Sequence, residues 1–420
     1  MFRSTKNAAL SAVAALSMLA GAPAAANAAV LFVGPTASAP GTSCAHPEYT
    51  SVQTAITAAA VGSTVDICGG IYKEQLQIEK AVTLAGKSGA KIVVPGAPGK
   101  SETTCDHERN AARGGEDEDL VSICTTGKVT LSGLALEAKW QAGTCNDFLY
   151  GIVVGGGATL EANKVTLDGA GAFPINGCQG GVGIQVGFGT GGQVGHAILS
   201  KDTIENYQKN GMTVDGPGST ATVAKTTITG AGPSNQGQNG IQVSRGAVAT
   251  ISKVIISGDE CNIPGTCGYE STEQWEEDGA GVLFYAAGSS SSVSNSKLSD
   301  NNIGVEYVSA SPTRPATPEL TLTEDKVTGG YASVQLNQGN ATLDNDKLTG
   351  ALVGIDVNSY WGEDNSYAPD AQVTGGHIEG SKAAVQVESD LAGLAGELSL
   401  TSVKVKGLIV KEDPQYEVTE

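Results

Sequence analysis

The chain has 420 residues, 44 acidic against 25 basic side chains, a formal net charge of −19 and 57 glycines. So acidic a surface repels nucleic acid and anionic lipid and favours metal cations. Abundant Gly and Thr without long helical patterns argue for short strands and turns rather than a helix bundle.

Residues 1–28 carry Arg3 and Lys6, an apolar run from Ala8 to Ala20, and Ala26-Asn27-Ala28 at the cleavage positions. They read as an export signal. No later run of about 20 apolar residues follows, so a secreted, extracellular monomer without a membrane span is expected. Its domain covers 29–410, with a short acidic tail over 411–420. All eight cysteines lie after the signal, where an oxidising compartment favours disulfides. Pairing of neighbours would give Cys44–Cys68, Cys105–Cys124, Cys145–Cys178 and Cys261–Cys267. The alternative, a zinc site, finds no Cys-x-x-Cys and only four histidines.

Residues 51–60 place Val52, Ala55, Ile56 and Ala59 on one helical face after a Ser/Thr start. Val65-Asp66-Ile67-Cys68, Gly70 to Glu74, Leu76-Gln77-Ile78 and Val82 to Gly86 then read as the strands of a first coil. From Val94 to Leu120 the chain turns irregular around the acidic run Glu116-Asp117-Glu118-Asp119. It reads as a surface loop pinned by Cys105 and Cys124.

Beyond Val129 a repeat takes over. Gly-apolar-x-apolar strands begin at Gly151, Gly183, Gly211, Gly240, Gly281, Gly304 and Gly354, with degenerate copies at Ser333 and Ala384. Each is followed by two apolar residues five positions apart, such as Leu160/Val165, Ile251/Ile256 and Leu322/Val327. The shortest copy is about 21 residues, enough for three strands rising ~3.3 Å per residue and joined by turns. This is an all-β pattern, a right-handed parallel β-helix of about ten or eleven coils, with the helix at 51–60 as its N-terminal cap.

The opening of the chain carries a resemblance. A helix ending in small residues, Gly70-Ile71-Tyr72-Lys73-Glu74 and Val82-Thr83-Leu84-Ala85-Gly86 look like the N-terminal opening of pectin-lyase-fold proteins. Gly-x-Tyr-x-Glu is similar to the opening motif of pectin methylesterases. With the Gly-Ile-x-Val repeats, the resemblance to right-handed β-helix proteins spans nearly the whole chain after residue 28. It implies the fold, and a structural role for Glu74 in the opening turn. The catalytic motifs of those families do not follow, and Asp106-His107-Glu108 is a weak echo of an epimerase motif.

Insertions at 138–150, 170–182, 231–239 and 258–280 precede Gly-Ile-x-Val strands and project from one edge. Those at 187–192, 309–318 and 358–370 follow such strands and project from the other. Alternation turns the middle residue of each strand outward between these walls. The expected floor is a polar column of Gln185, Thr213, Gln242, Leu283, Glu306, Gln335, Asp356 and Gln386, suited to the hydroxyls of an extended sugar chain. Trp140, Phe148, Tyr150, Trp275, Tyr360, Trp361 and Tyr367 on the walls would stack on sugars or pin their loops. Asp259, Glu260, Glu276, Glu277 and Asp278 are candidate cation ligands. No cofactor motif is recognisable, and Ca²⁺ is the ion such hard oxygens suit.

A second column precedes the later apolar residue of the five-apart pair: Lys297, Lys326, Lys347, His377 and Lys404. Such a row could attract a polyanion, but Asp325 and Asp346 directly precede two of its lysines. A mixed-charge exposed face is the simpler reading. The function expected is recognition of extracellular polysaccharide along the outer face of the Gly-Ile-x-Val strands, without a recognisable catalytic constellation. The alternative is a polysaccharide-active lyase, hydrolase or esterase with a divergent site.

Overall fold

The computed structural model describes residues 28–96, 103–113, 117–141, 148–261, 279–309, 315–358, 367–388, 391 and 394–420. Apart from Ala28, the expected export signal lies outside the described residues. Fourteen parallel strands stack on a first face, from Val30–Val33 to Glu417–Thr419. The other two faces meet in the long strands Lys347–Val357 and His377–Val387, and together form one 22-stranded sheet. The repeat counts fewer coils than the first face holds, because the coils at either end lack its signature. The inward residues of all three faces form one continuous apolar core running along the axis.

The glycine that opens each Gly-Ile-x-Val strand is required by closeness of approach. A Cβ at Gly183 would sit 2.3 Å from the carbonyl oxygen of Gly211, and one at Gly211 2.6 Å from that of Gly240. At Gly240 it would strike both the Gly281 oxygen at 2.6 Å and Ile256 Cγ2 at 2.4 Å. The column of glycines is therefore where consecutive coils turn a corner backbone against backbone.

A different device turns the corner between the first and second faces. One residue per coil is left-handed there: Lys164, Lys201, Lys225 and Lys253 have φ of 55°, 62°, 54° and 54°, and Asn295, Glu324 and Asn345 have 53°, 56° and 58°. The residue after it points into the molecule. In several coils that residue is polar and accepts the corner N–H of the preceding coil. Asp202 takes that of Val165 at 2.8 Å, Asp325 that of Ser296 at 2.7 Å and Asp346 that of Asp325 at 2.7 Å. Corner amides that would otherwise be buried without an acceptor are satisfied in this way.

The N-terminal helix, α1 (Val52–Ala58), buries Val52, Ala55 and Ile56 against the first strands. Glu74 accounts for its placement. The carboxylate accepts from Val52 N and Gln53 N, both at 2.9 Å, and from Ser51 Oγ at 2.8 Å. A negative charge thus sits on the positive end of the helix. Tyr72 of the same motif donates from its buried hydroxyl to Cys68 O at 2.9 Å and Val33 O at 3.2 Å. Gly-x-Tyr-x-Glu is accordingly a fastening of the first coil.

Cys44–Cys68 and Cys105–Cys124 are bonded as expected. Cys178 and Cys261 are also disulfide-bonded, but the pairings proposed with Cys145 and Cys267 fall outside the described residues. The stretch read as an irregular loop contains a helix, α2 (Thr104–Arg113). Its acidic run is not simply solvated. Asp119 is buried and paired at 2.9 Å with the fully buried Arg109, which also holds Asp106 at 3.0 Å. At the other end, residues 411–420 are more than a tail. Tyr416 is buried with its hydroxyl on Pro369 O at 2.9 Å, and Glu417–Thr419 adds a strand.

Two stability predictions follow from these corners and ends. Glu74→Ala strips three donors of their acceptor and should lower unfolding free energy by about 1 to 3 kcal/mol in a urea titration, with Glu74→Gln intermediate. Burial raises the carboxyl pKa of Asp325 and of Asp346 to about 7, and of Asp202 to about 6. A raised carboxyl pKa means that the folded state holds the proton more tightly than the unfolded chain. Stability from these groups is complete below about pH 4 and is lost as pH rises through about 7. Asp346 Oδ2 has no hydrogen-bond partner, so Asp346→Asn should stabilise the protein at pH 8 by about 1 to 3 kcal/mol. It should also flatten the gain that the wild type shows between pH 8 and pH 5, read by urea unfolding at both.

Candidate functional site

The outward column exists as the alternation demands. Ladder pairing places Val153, Gln185, Thr213, Gln242, Leu283, Glu306, Gln335, Asp356 and Gln386 side by side on successive coils. Its exposure, however, differs from that of a continuous open floor. The head of the column is covered by α2, whose Asp106 accepts from Ser122 Oγ at 2.9 Å, Ser122 being the neighbour of Val153. Asp106 further accepts from Thr103 N and Oγ1 and from Arg109, so the aspartate of the weak epimerase echo serves to pack the helix. Next comes an apolar cluster of Tyr150, Val153, Val182 and Phe148 on the outer surface.

Gln185 and Thr213 are buried, and Gln185 donates to Gly187 O at 2.8 Å. At the far end Gln335, Asp356 and Gln386 are buried too. Gln335 Nε2 and Asn358 Nδ2 both donate to Asp356 Oδ2 at 3.1 Å, and Gln386 donates to Glu388. Amides and carboxylates stacked one coil apart satisfy one another before any ligand arrives. Only the middle of the column, Gln242, Leu283 and Glu306, reaches solvent.

Beside that middle stretch stands a group that the column alone did not reveal. Arg245 follows the strand of Gln242 and is held by two hydrogen bonds to Asp215, Nε at 2.8 Å and Nη2 at 2.6 Å. Asp215 is fully buried and also accepts from Ser244 Oγ at 3.0 Å and Gly189 N at 2.8 Å. The Arg245 side chain is half-exposed, at 49%. Its hydrogen bonds to Asp215 push its pKa further up, and Tyr285 and Tyr150 act in the same direction. A rigid planar cation with N–H donors left over is thereby fixed at the edge of the accessible floor. Asn239 and Asn210 extend the network by a donor chain that ends on Gln242 Oε1 at 2.9 Å.

The other expected residues divide. Asp259 is fully buried against the hydroxyl of Tyr207, and burial raises its carboxyl well above the usual range. A buried carboxyl of that kind is a core group, which removes Asp259 from the exposed cation ligands grouped with Glu260. Glu276, Glu277 and Asp278 lie outside the described residues, as do Trp275, Tyr360 and Trp361. Among the described residues no three acids, histidines or cysteines come together as a metal site. Trp140 and Tyr150, expected on a groove wall, are buried: Trp140 packs with Leu149 and Ala172, and Tyr150 lies over Arg109 at 5.5 Å.

No family model and no curated protein matches this sequence. Solved structures do. The A-module of the mannuronan C-5 epimerase AlgE4 of Azotobacter vinelandii superposes with a TM-score of 0.51 at 13% identity, over 88% of this chain and 95% of that one. A GH136 lacto-N-biosidase of Eubacterium ramulus superposes with 0.52 at 10% identity, over 93% and 68%. At such identities the likeness concerns backbone architecture alone: this chain is a right-handed parallel β-helix, as the repeat predicts.

Proposed function

We propose that the protein recognises an extracellular polysaccharide on the outer face of its Gly-Ile-x-Val strands, at the stretch formed by Gln242, Leu283 and Glu306 and bordered by Arg245 and Tyr285. The observation that carries this reading is the half-exposed Arg245, oriented by buried Asp215 next to the one part of the polar column open to solvent. Gln242 and Glu306 would exchange hydrogen bonds with sugar hydroxyls, and the spare N–H groups of Arg245 would meet hydroxyls or a uronate carboxylate. Tyr285 offers a ring face at the same end of the strand. Glycan-active proteins among the structural neighbours share only the fold, so they raise the reading without deciding it.

The test is to incubate the secreted protein with neutral and uronate polysaccharides, with and without Ca²⁺, and to size what remains in solution. Intact polymer that co-sediments with the protein is the expected result. Glu306→Gln and Arg245→Lys should each weaken it by roughly tenfold, the latter keeping a cation beside Asp215. Shortened or chemically altered polymer would instead establish an enzyme. Absence of both binding and change would remove the glycan reading of this face.

A further inference from the structure

The left-handed corner carries a line of basic residues along the solenoid. On four successive coils its turn residue is a lysine: Lys164, Lys201, Lys225 and Lys253. On the next five coils the basic residue moves two positions along, to the first outward position of the second face: Lys297, Lys326, Lys347, His377 and Lys404. Those five are paired in direct register, and Ile255, two residues after Lys253, pairs with Lys297. One basic residue per coil, eight lysines and one histidine, therefore runs along one edge for nine coils, a line of roughly 38 Å at the usual strand spacing.

These lysines are unpaired. Lys87, Lys91, Lys128, Lys139 and Lys406 each reach a carboxylate within 2.9 Å. The eight lysines of the edge are exposed, and none makes an ion pair. Asp325 and Asp346, which the sequence places next to two of them, do not balance the row. They face inward, 2% and 3% exposed, with their oxygens on backbone amides. Glu324 is the one acid at the turn and first outward positions, and His377 is engaged by Lys404 O and Glu379. Lysines often blunt the open edge of a sheet, but the strands of Lys297, Lys326, Lys347 and His377 are paired on both sides, and only that of Lys404 has a single neighbour among the described residues.

In a protein of net charge −19, an unneutralised file of cations selects a ligand narrow enough to lie on it. A linear chain bearing one charge per unit fits the single file and its ~4.8 Å step, which is comparable with the rise of one sugar in an extended glycan. A nucleic-acid strand fits less well: its charges are spaced at about 3.4 Å along a duplex, and single strands are held on aromatic platforms. Neither the turn column nor the first outward column contains an aromatic residue. A depression of about 230 Å³ lined by Lys87, Lys91 and Lys164 lies at the head of the row.

We propose that this lysine edge is a docking track for one extended acidic polysaccharide, with a carboxylate opposite each coil and the chain parallel to the solenoid axis. The track lies on the corner between the first and second faces, and it does not depend on the reading of the polar column. Each contact is weak in isolation and screened by salt, so binding rests on the number of lysines engaged.

The test uses the full secreted chain, polygalacturonate as probe, neutral dextran and oligo-dT as comparisons, and titrations at several salt concentrations. The wild type should bind polygalacturonate at low salt with steep salt dependence and ignore dextran. Lys225→Gln/Lys253→Gln/Lys297→Gln/Lys326→Gln should lose about tenfold in affinity and show a shallower salt slope. Its melting temperature should not fall, because the four side chains are exposed and unpaired. Lys128→Gln, an exposed lysine off the track, should bind as the wild type does. Unchanged affinity in the quadruple variant, or no binding of polygalacturonate at low salt, would overturn the proposal. Tighter binding of oligo-dT than of polygalacturonate would also overturn it and assign the edge to nucleic acid.

Discussion

Parallel stacking of coils in a single register is the constraint on which everything else rests. Each coil hydrogen-bonds the next at ~4.8 Å, so a position in the repeat becomes a line along the axis. Leu160, Ala197, Ala221 and Ala249 do not pack as isolated residues; they continue one apolar line in one core. The glycine line lets two backbones meet at the corner, and a side chain there would have to displace the carbonyl oxygen of the adjacent coil. Coupling in such a molecule passes chiefly from coil to neighbouring coil.

The same stacking sets a cost at the left-handed corner. A non-glycine residue with positive φ costs about 1 to 2 kcal/mol, and the corner repeats it coil after coil. In several coils its inward residue also satisfies an amide of the coil before. Asp202, Asp325 and Asp346 do so at the expense of burying carboxyls, while Ser296 does so with a hydroxyl on Val254 N at 3.3 Å. The corner thus couples fold stability to proton binding through groups remote from the polar face.

Polar groups in line with one another have two fates, and the contrast separates scaffold from surface. On the Gly-Ile-x-Val face, amides and carboxylates can donate and accept, so most of the column closes into its own network and is buried. On the lysine edge all the groups are donors of like charge, so they cannot satisfy one another. They stand in solvent instead. Arg245 lies between these cases, tied on one side to Asp215 and open on the other.

Much of this was legible because a solenoid writes its geometry in periodic form. The Gly-Ile-x-Val copies, the register of Gln185 to Gln386, the helix at Val52–Ala58 and the bonds Cys44–Cys68 and Cys105–Cys124 all follow from local spacing, and the structural role of Glu74 from the resemblance of its motif. Asp325 and Asp346 are the exception: the sequence reads them as part of a mixed-charge exposed face, and the structure turns them inward. Apolar residues five apart cannot both face inward on one continuous strand, since alternation has period two; a left-handed residue must reset the phase, and it turns the next residue inward.

What only the tertiary structure decided is which lines remain open. Helix α2 on Ser122, Trp140 against Ala172, Tyr150 beside Arg109, Asp259 against Tyr207 and Asp215 under Arg245 join residues far apart in sequence. Periodicity determines the direction in which a side chain points from its own strand. Whether it meets solvent there depends on segments that carry no repeat, and so sequence alone supplied the fold and its columns, and packing determined which of them a ligand can reach.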